Sequence, residues 1–496
     1  MRRIAQWLGS KAFLYTIFGF FLFESAWIAL SALYPQAFDE DFHLGIIKIY
    51  GQHWLPFLHD QPPNATAFGA VARDPSYLYH YLMSFPYRLS AVFTHDQALQ
   101  VIFLRLLNIG MFGAGLALFW RLLRRVGVSA AYTNTVFALF VLIPIVPLLA
   151  GQINYDNLML PLAAWLCWLV LDCAEQLRTR RIALKTITAL ITVCCLGSLV
   201  KYPFLPLALV AFVYLCVVGI RAFRGHCAQA WSSMRSNAKT LSVWMKLALV
   251  VTLLVSIGLF VQRYGSNVVS YHSPLPHCET VLSVDDCMDY GPWARDYSLA
   301  QHNAGNFNHS VFYYVWAWLY GMWLRLFFMI TGPTNTYANS PPLPFPALTA
   351  IVLAIAGIGM LVGRLRKTLR GRPDLVFLLL LVGVYMGVLF VDNYLAYLRT
   401  SQPVAINGRY LLPVLLPLAA VIGHAARGLL ARRTTLKALG ASLAIIFFLE
   451  GGGWFSFIVR SNPAWDFPNP TTVQINNATR SIVSPLILGQ HLHIYD

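Results

Sequence analysis

Charge is scarce in this sequence, and acid is scarcer than base. Only 11% of the 496 residues are charged, and 20 Asp and Glu stand against 36 Lys and Arg. So few charges cannot clothe a water-facing surface of this length, which excludes a soluble globular protein. Chemical signatures are missing as well. There is no Cys-x-x-Cys pair or His/Cys cluster to support a soft-metal site. There is no Gly-x-Gly-x-x-Gly turn or phosphate-binding loop to support a nucleotide-driven mechanism. What the chain has instead is apolar residue: 58% of it is hydrophobic and the mean hydropathy is +0.59. Its longest apolar windows reach the length that crosses a bilayer, about 20 residues. An all-α polytopic membrane protein follows.

The net charge of +16 does not point to nucleic acid, because the basic residues gather in short clusters between apolar runs. These are Arg2/Arg3/Lys11, Arg121/Arg124/Arg125, Arg178/Arg180/Arg181/Lys185, Arg221/Arg224 with Arg235/Lys239, Arg364/Arg366/Lys367/Arg370/Arg372 and Arg427/Arg432/Arg433/Lys437. Placed together in the cytoplasm, as the positive-inside rule requires, they define eleven spans. The spans fall near 12–34, 98–120, 129–150, 157–174, 183–200, 203–220, 241–262, 346–363, 375–392, 409–427 and 437–458. The N-terminus is then cytoplasmic, and the first apolar run is an uncleaved span, since it is long for a signal peptide. The aromatic segment Val311–Gly332 carries Arg325 and resists this scheme. It reads as an interfacial or re-entrant helix, with a twelfth span as the alternative.

One transmembrane domain, residues 1–458, is thus followed by a short external tail, 459–496. External loops cover 35–97 and 263–345. The second contains "HCETVLSVDDC", whose Cys278 and Cys287 are the only cysteines placed outside, close enough in sequence to form a disulfide.

At the outer mouth of the first span stands "FDEDFHLG", Phe38 to Gly45. Asp39 suits the cap of a following amphipathic helix, and Glu40 and Asp41 suit its N-terminal dipole. Other polar groups recur at the same face. They are Asp156 in "GQINYDNLMLP", Lys201 in "GSLVKYPFLP", and Arg409 with Tyr410 in "INGRYLLPVLLP". Arg105 lies about two turns inside the second span, a costly place without a partner. Carboxylates and cations at headgroup depth suit attack on a lipid-linked phosphate donor. A carboxylate can deprotonate a hydroxyl, and cations can hold a departing phosphate.

These residues carry a resemblance. "FDEDFHLG" is similar to the Asp-Glu motif of the first external loop in protein O-mannosyltransferases and bacterial aminoarabinose transferases, of the GT-C glycosyltransferase superfamily. "RDPSYLYHYLMSFPYRL" resembles the Pro-plus-aromatic segment of the same loop. Arg105-Leu106 matches an Arg-Leu pair early in span two, Tyr155-Asp156-Asn157 a second acidic site, and "VKYPFLP" a Lys-containing motif. "NGRYLLPVLLPLA" is similar to a motif of GT-C-like membrane families. The order of motifs agrees along the first half of the chain. The second half agrees mainly through Gly408-Arg409-Tyr410, and Asp41 and His43 stand outside the pattern.

The resemblance implies an inverting hexosyl or pentosyl transferase, working on the external face of a bacterial plasma membrane. Its donor would be a polyprenyl-phosphate sugar and its acceptor an envelope glycan, lipid or protein. Asp39 would be the base or its organiser, with Glu40 next in line for that role. Asp156 would position the acceptor or a cation. Lys201 and Arg409, with Tyr410 and Arg105, would hold the donor phosphate. Mg²⁺ or Mn²⁺ is left open, with Asp39, Glu40, Asp41 and Asp156 as the hard oxygen donors. His43 reads as a surface histidine, with a hydrogen bond to Asp39 as the alternative. From a different class, a transporter or flippase for a lipid-linked or anionic solute is the competing expectation.

Overall fold

A computed structural model describes residues 2–36, 39–303, 310–331, 338–427, 434–461, 466–467 and 469–492. Arg432 and Arg433 of the last basic cluster lie outside the described residues. The chain is an all-α polytopic membrane protein. Among the described residues, nine helices are long and apolar enough to cross a bilayer, and two shorter apolar helices, Ala130–Val141 and Leu184–Val200, accompany them. Together they match the eleven runs read from the sequence.

In chain order the helices used below are α1 (Lys11–Ser31), α2 (Glu40–Gly51), α3 (Leu78–Phe93), α4 (Gln97–Arg125), α5 (Ala130–Val141) and α6 (Ile145–Ala150). There follow α7 (Asp156–Arg178), α8 (Leu184–Val200), α9 (Leu205–Phe223), α10 (Val243–Phe260), α11 (Val311–Phe327) and α12 (Pro344–Leu369). The last are α13 (Pro373–Thr400), α14 (Leu412–Arg427), α15 (Thr434–Leu449) and α16 (Gly453–Arg460). A two-stranded antiparallel ribbon pairs β1 (Met329–Thr331) with β2 (Ala338–Ser340).

Short polar residues start several of these helices by satisfying backbone N–H groups that have no partner inside the helix. Ser10 accepts from Phe13 at the head of α1, Asp96 from Ala98 at α4, and Ser242 from Met245 at α10. Burial then sorts the spans. Asp156–Arg178 is the most enclosed, with 67% of its apolar window buried, whereas Val243–Tyr271 has only 6% buried and presents its apolar surface outward. The enclosed span brings its polar N-terminal residues into the middle of the bundle.

Every basic cluster of the described chain lies at one end of the helices. There Arg372 binds Asp374, donates to the Val126 carbonyl and contacts His424. At the opposite end, α2, α3 and the start of α4 share a core of their own, with Leu44, Ile47, Tyr50, Tyr79, Leu104 and Ile153 buried together. A third core lies under α11, where Tyr314, Trp318 and Met322 meet Tyr397, Ile406 and Leu411. The aromatic segment that resisted the span scheme therefore seats the turn before α14. Gly408 fits there because it has no side chain: a Cβ would collide with the Met322 carbonyl.

Two spans are interrupted at matching depth. α5 stops at Leu142 ahead of Pro144, which cannot continue the hydrogen-bond ladder, and α6 resumes beyond it. Gly451, at positive φ, lies between α15 and α16, and Gly453, also at positive φ, opens α16.

Candidate functional site

Glu40 and Arg105 form a closed buried pair. Arg105 Nε donates to Glu40 Oε1 at 2.8 Å and Nη2 to Oε2 at 2.7 Å, a bidentate fork. The remaining Arg105 hydrogens go to the carbonyls of Ala29, Ala32 and Leu33 at the C-terminal end of α1. Glu40 also accepts from the backbone N–H of Gln36 and of Ile153. Both side chains are sealed, at 0% and 1% exposure. All five guanidinium hydrogens are thus used within the protein, which leaves none for the phosphate expected at Arg105. What the pair does is tie α1, α2, α4 and the turn before α7 together.

The neighbouring Asp39 is different. Its backbone is left-handed, with φ 70°, and its side chain makes no capping bond to α2. The capping role read from sequence is therefore not taken. A non-glycine residue in this region costs about 1–2 kcal/mol, a cost that Asp tolerates better than most. The effect is to turn the carboxylate away from its own helix. Asp39 is 52% exposed, and its Oδ2 accepts from Arg409 Nη2 at 3.0 Å.

Arg409 joins this aspartate to a second acid. Its Nε lies 3.7 Å from Asp156 Oδ2, and Asp156 Oδ1 is bound by Lys201 Nζ at 2.5 Å. The Lys201 ammonium also lies 4.4 Å from the ring centroids of both Tyr155 and Tyr410, where a cation is favoured by the π face. The Tyr410 hydroxyl is 3.4 Å from Arg409 Nη2. Residues 39, 155–156, 201 and 409–410, from four distant segments, therefore meet at one end of the bundle. Asp39 is their open member; Lys201 and Arg409 are each 4% exposed.

A shell of amides positions Asp156. At the head of α7, Asn154 Oδ1 serves as the cap by accepting the Asp156 N–H at 2.9 Å. Asn157 Nδ2 donates to Asn108 Oδ1 and to the carbonyls of Leu149 and Gln152, and the Tyr79 hydroxyl donates to the same Asn108 oxygen. These bonds fix the turn into α7 that presents Tyr155 and Asp156.

Sequence reasoning missed the support behind Tyr155. His43 is buried, not a surface residue, and its Nδ1 lies 2.9 Å from His80 Nε2. His80 Nδ1 is 3.1 Å from the Ser76 carbonyl. That oxygen can only accept, so His80 Nδ1 carries the proton and its Nε2 accepts from His43 Nδ1–H. The His43 and Tyr155 rings meet edge to face at 4.5 Å. Burial, then the charge that His80, Arg409 and Lys201 would oppose, holds His43 well below the usual imidazole range. Burial alone pushes His80 down to about 3. Both rings are neutral at physiological pH. The signal was available in the sequence: His43, Ile47 and Tyr50 lie on one helical stripe, as do Tyr79, His80 and Met83 near its partner face.

The expected disulfide is present, Cys278 to Cys287. The four acids proposed as metal donors do not gather, since Glu40 is committed to Arg105. Among the described residues no group of three or more His, Cys, Asp or Glu side chains is arranged to hold a metal ion. Comparison of the chain with family models, with curated proteins and with solved structures finds no match.

Proposed function

We propose that the chain is an inverting GT-C-type glycosyltransferase that moves a sugar from a polyprenyl-phosphate donor to an envelope glycan, lipid or protein acceptor. The observation that carries this reading is the meeting of a half-open carboxylate, Asp39, with two guarded cations, Arg409 and Lys201. Asp39 takes the proton of the acceptor hydroxyl as that oxygen attacks the anomeric carbon. The bond to the donor phosphate breaks from the opposite side, and the phosphate leaves as an anion facing Lys201 and Arg409. A stabilised phosphate needs no general acid, which suits a site with a base and cations. Glu40 and Arg105 position Asp39 in this scheme and do not touch the sugar. With the basic helix ends in the cytoplasm, the reaction belongs to the outer membrane face.

The test is Asp39→Asn in membranes supplied with a polyprenyl-phosphate sugar. Transfer is expected to vanish with expression unchanged, and full transfer by the variant overturns the assignment.

One observation favours a second reading, a transporter or flippase for a lipid-linked or anionic solute. Glu24, inside α1 and fully buried, receives only the Trp454 N–H at 3.2 Å among the described residues, and its Oε1 has no hydrogen-bond partner there. It stands where α5/α6 and α15/α16 are both interrupted, and broken spans beside an intramembrane acid are a hallmark of transport sites. Loss of solute movement in Glu24→Gln, with sugar transfer absent from the wild type, would select this reading.

A further inference from the structure

At the basic end of the bundle, opposite Asp39 and Lys201, a groove of about 780 Å³ runs between α9 and the first half of α13. Its walls are aliphatic. Leu209, Val213 and Val217 on one side and Leu380 and Val384 on the other are each more than a third exposed. The groove mouth is cationic, with Arg178 and Arg221 both on its rim. Arg178 is fixed there: its Nη2 donates to the Tyr214 hydroxyl at 2.8 Å, and that hydroxyl donates to the Pro373 carbonyl at 2.8 Å. Among the described residues neither arginine has a carboxylate within ion-pair distance, whereas nearby Arg125 holds Asp172 and Glu175.

The dimensions match one leaflet. Arg221 follows Leu209 by twelve residues on a continuous helix, a rise of about 18 Å. Half the hydrocarbon thickness of a bilayer is about 15 Å. The aliphatic walls therefore run through one leaflet, and the two guanidinium groups reach headgroup depth.

We propose that this groove is the seat of a resident anionic phospholipid, its acyl chain along α9 and α13 and its phosphate between Arg178 and Arg221. Basic pockets between transmembrane helices are recognised by anionic headgroups, and two unpaired cations at the rim discriminate by charge. A zwitterionic lipid brings its own ammonium to the same place and gains less. A sterol or a bare hydrocarbon leaves both arginines unanswered. The polyprenyl-phosphate donor would approach the opposite end of the helices, so this site stands independently of the catalytic reading.

The experiment uses the full chain in nanodiscs of phosphatidylcholine alone or of phosphatidylcholine with one fifth phosphatidylglycerol, the acyl chains being matched. Native mass spectrometry after release counts the retained lipid, and melting in each disc gives the stabilisation. Wild type is expected to keep one phosphatidylglycerol with a preference on the order of tenfold over phosphatidylcholine, as two surface guanidinium contacts allow. R178Q/R221Q loses the preference. V213W, which fills the groove and keeps both charges, loses the retained lipid and guards against misfolding of the charge variant. Equal retention of both lipids, or a preference untouched by either variant, overturns the proposal. So does equal stabilisation by inorganic phosphate in phosphatidylcholine discs, which would mark a phosphate site without a lipid.

Discussion

Arg409 Nη2 lies 3.0 Å from Asp39 Oδ2 across 370 positions of sequence. The two residues come from opposite ends of the chain, and no local feature of either segment requires them to meet. Their contact makes the turn before α14 part of the same site as the segment between α1 and α2.

Removing the Arg409 side chain is expected to weaken donor use. A charge-assisted hydrogen bond contributes about 1.5–3 kcal/mol, so Arg409→Ala should raise the apparent KM for the polyprenyl-phosphate sugar by about ten- to a hundredfold. Initial rates against donor concentration measure this. Arg409→Lys should recover only part of the loss, because an ammonium cannot reproduce the guanidinium fork. An unchanged KM would make Arg409 structural.

Glu40→Gln should act on stability rather than on KM. Breaking one partner of a buried ion pair leaves the other charge without compensation, at a cost of about 3–5 kcal/mol. The paired replacement Glu40→Leu/Arg105→Met should cost less than the sum of the single changes, because neither charge is then stranded. Unfolding of the purified protein in detergent, followed by near-ultraviolet circular dichroism, reads both. A near-neutral Glu40→Gln would show that the fork contributes little.

The His43–His80 pair sets a pH dependence. Both rings are held neutral in the native state, while in the unfolded chain they titrate near 6.5. Below that value the unfolded chain binds more protons, so stability falls as pH falls. The slope reaches about 1.4 kcal/mol per pH unit for each histidine. The window opens near pH 6.5 and for His80 extends down to about 3. Hydrogen-exchange protection of α2 at pH 7, 6 and 5, above most carboxylate titration, is the measurement. His80→Gln should roughly halve the slope, and equal protection across the three values would show that the pair titrates in the native state as it does in the unfolded chain.

Much of the fold was legible because apolar length is a local property. Eleven runs could be counted one by one, and the helices Ala130–Val141 and Leu184–Val200 are recognisable although they are short. The disulfide was legible for the same reason, as its partners are nine residues apart. The pairings were not. Glu40 and Asp39 are adjacent and chemically alike, yet one is sealed by Arg105 and the other faces outward. What separates them is a left-handed backbone at residue 39, and Asp in that position has no mark in the sequence. On α2 taken alone, His43 is a surface position. Once α3 covers it, the same amphipathic stripe makes that histidine core. Arg105 was correctly expected to need a partner, but its choice of Glu40 and three carbonyls depends on where α1 ends in space.

The Lys201 ammonium is held between two tyrosine rings with Asp156 as its counter-ion. An incoming anion therefore finds an occupied seat, and binding there is an ion exchange in which Asp156 must loosen its hold as the newcomer arrives. Such a site holds its charges in balance at rest. An anion with more charge than one carboxylate competes best for that seat, whereas a neutral molecule has no charge to exchange there.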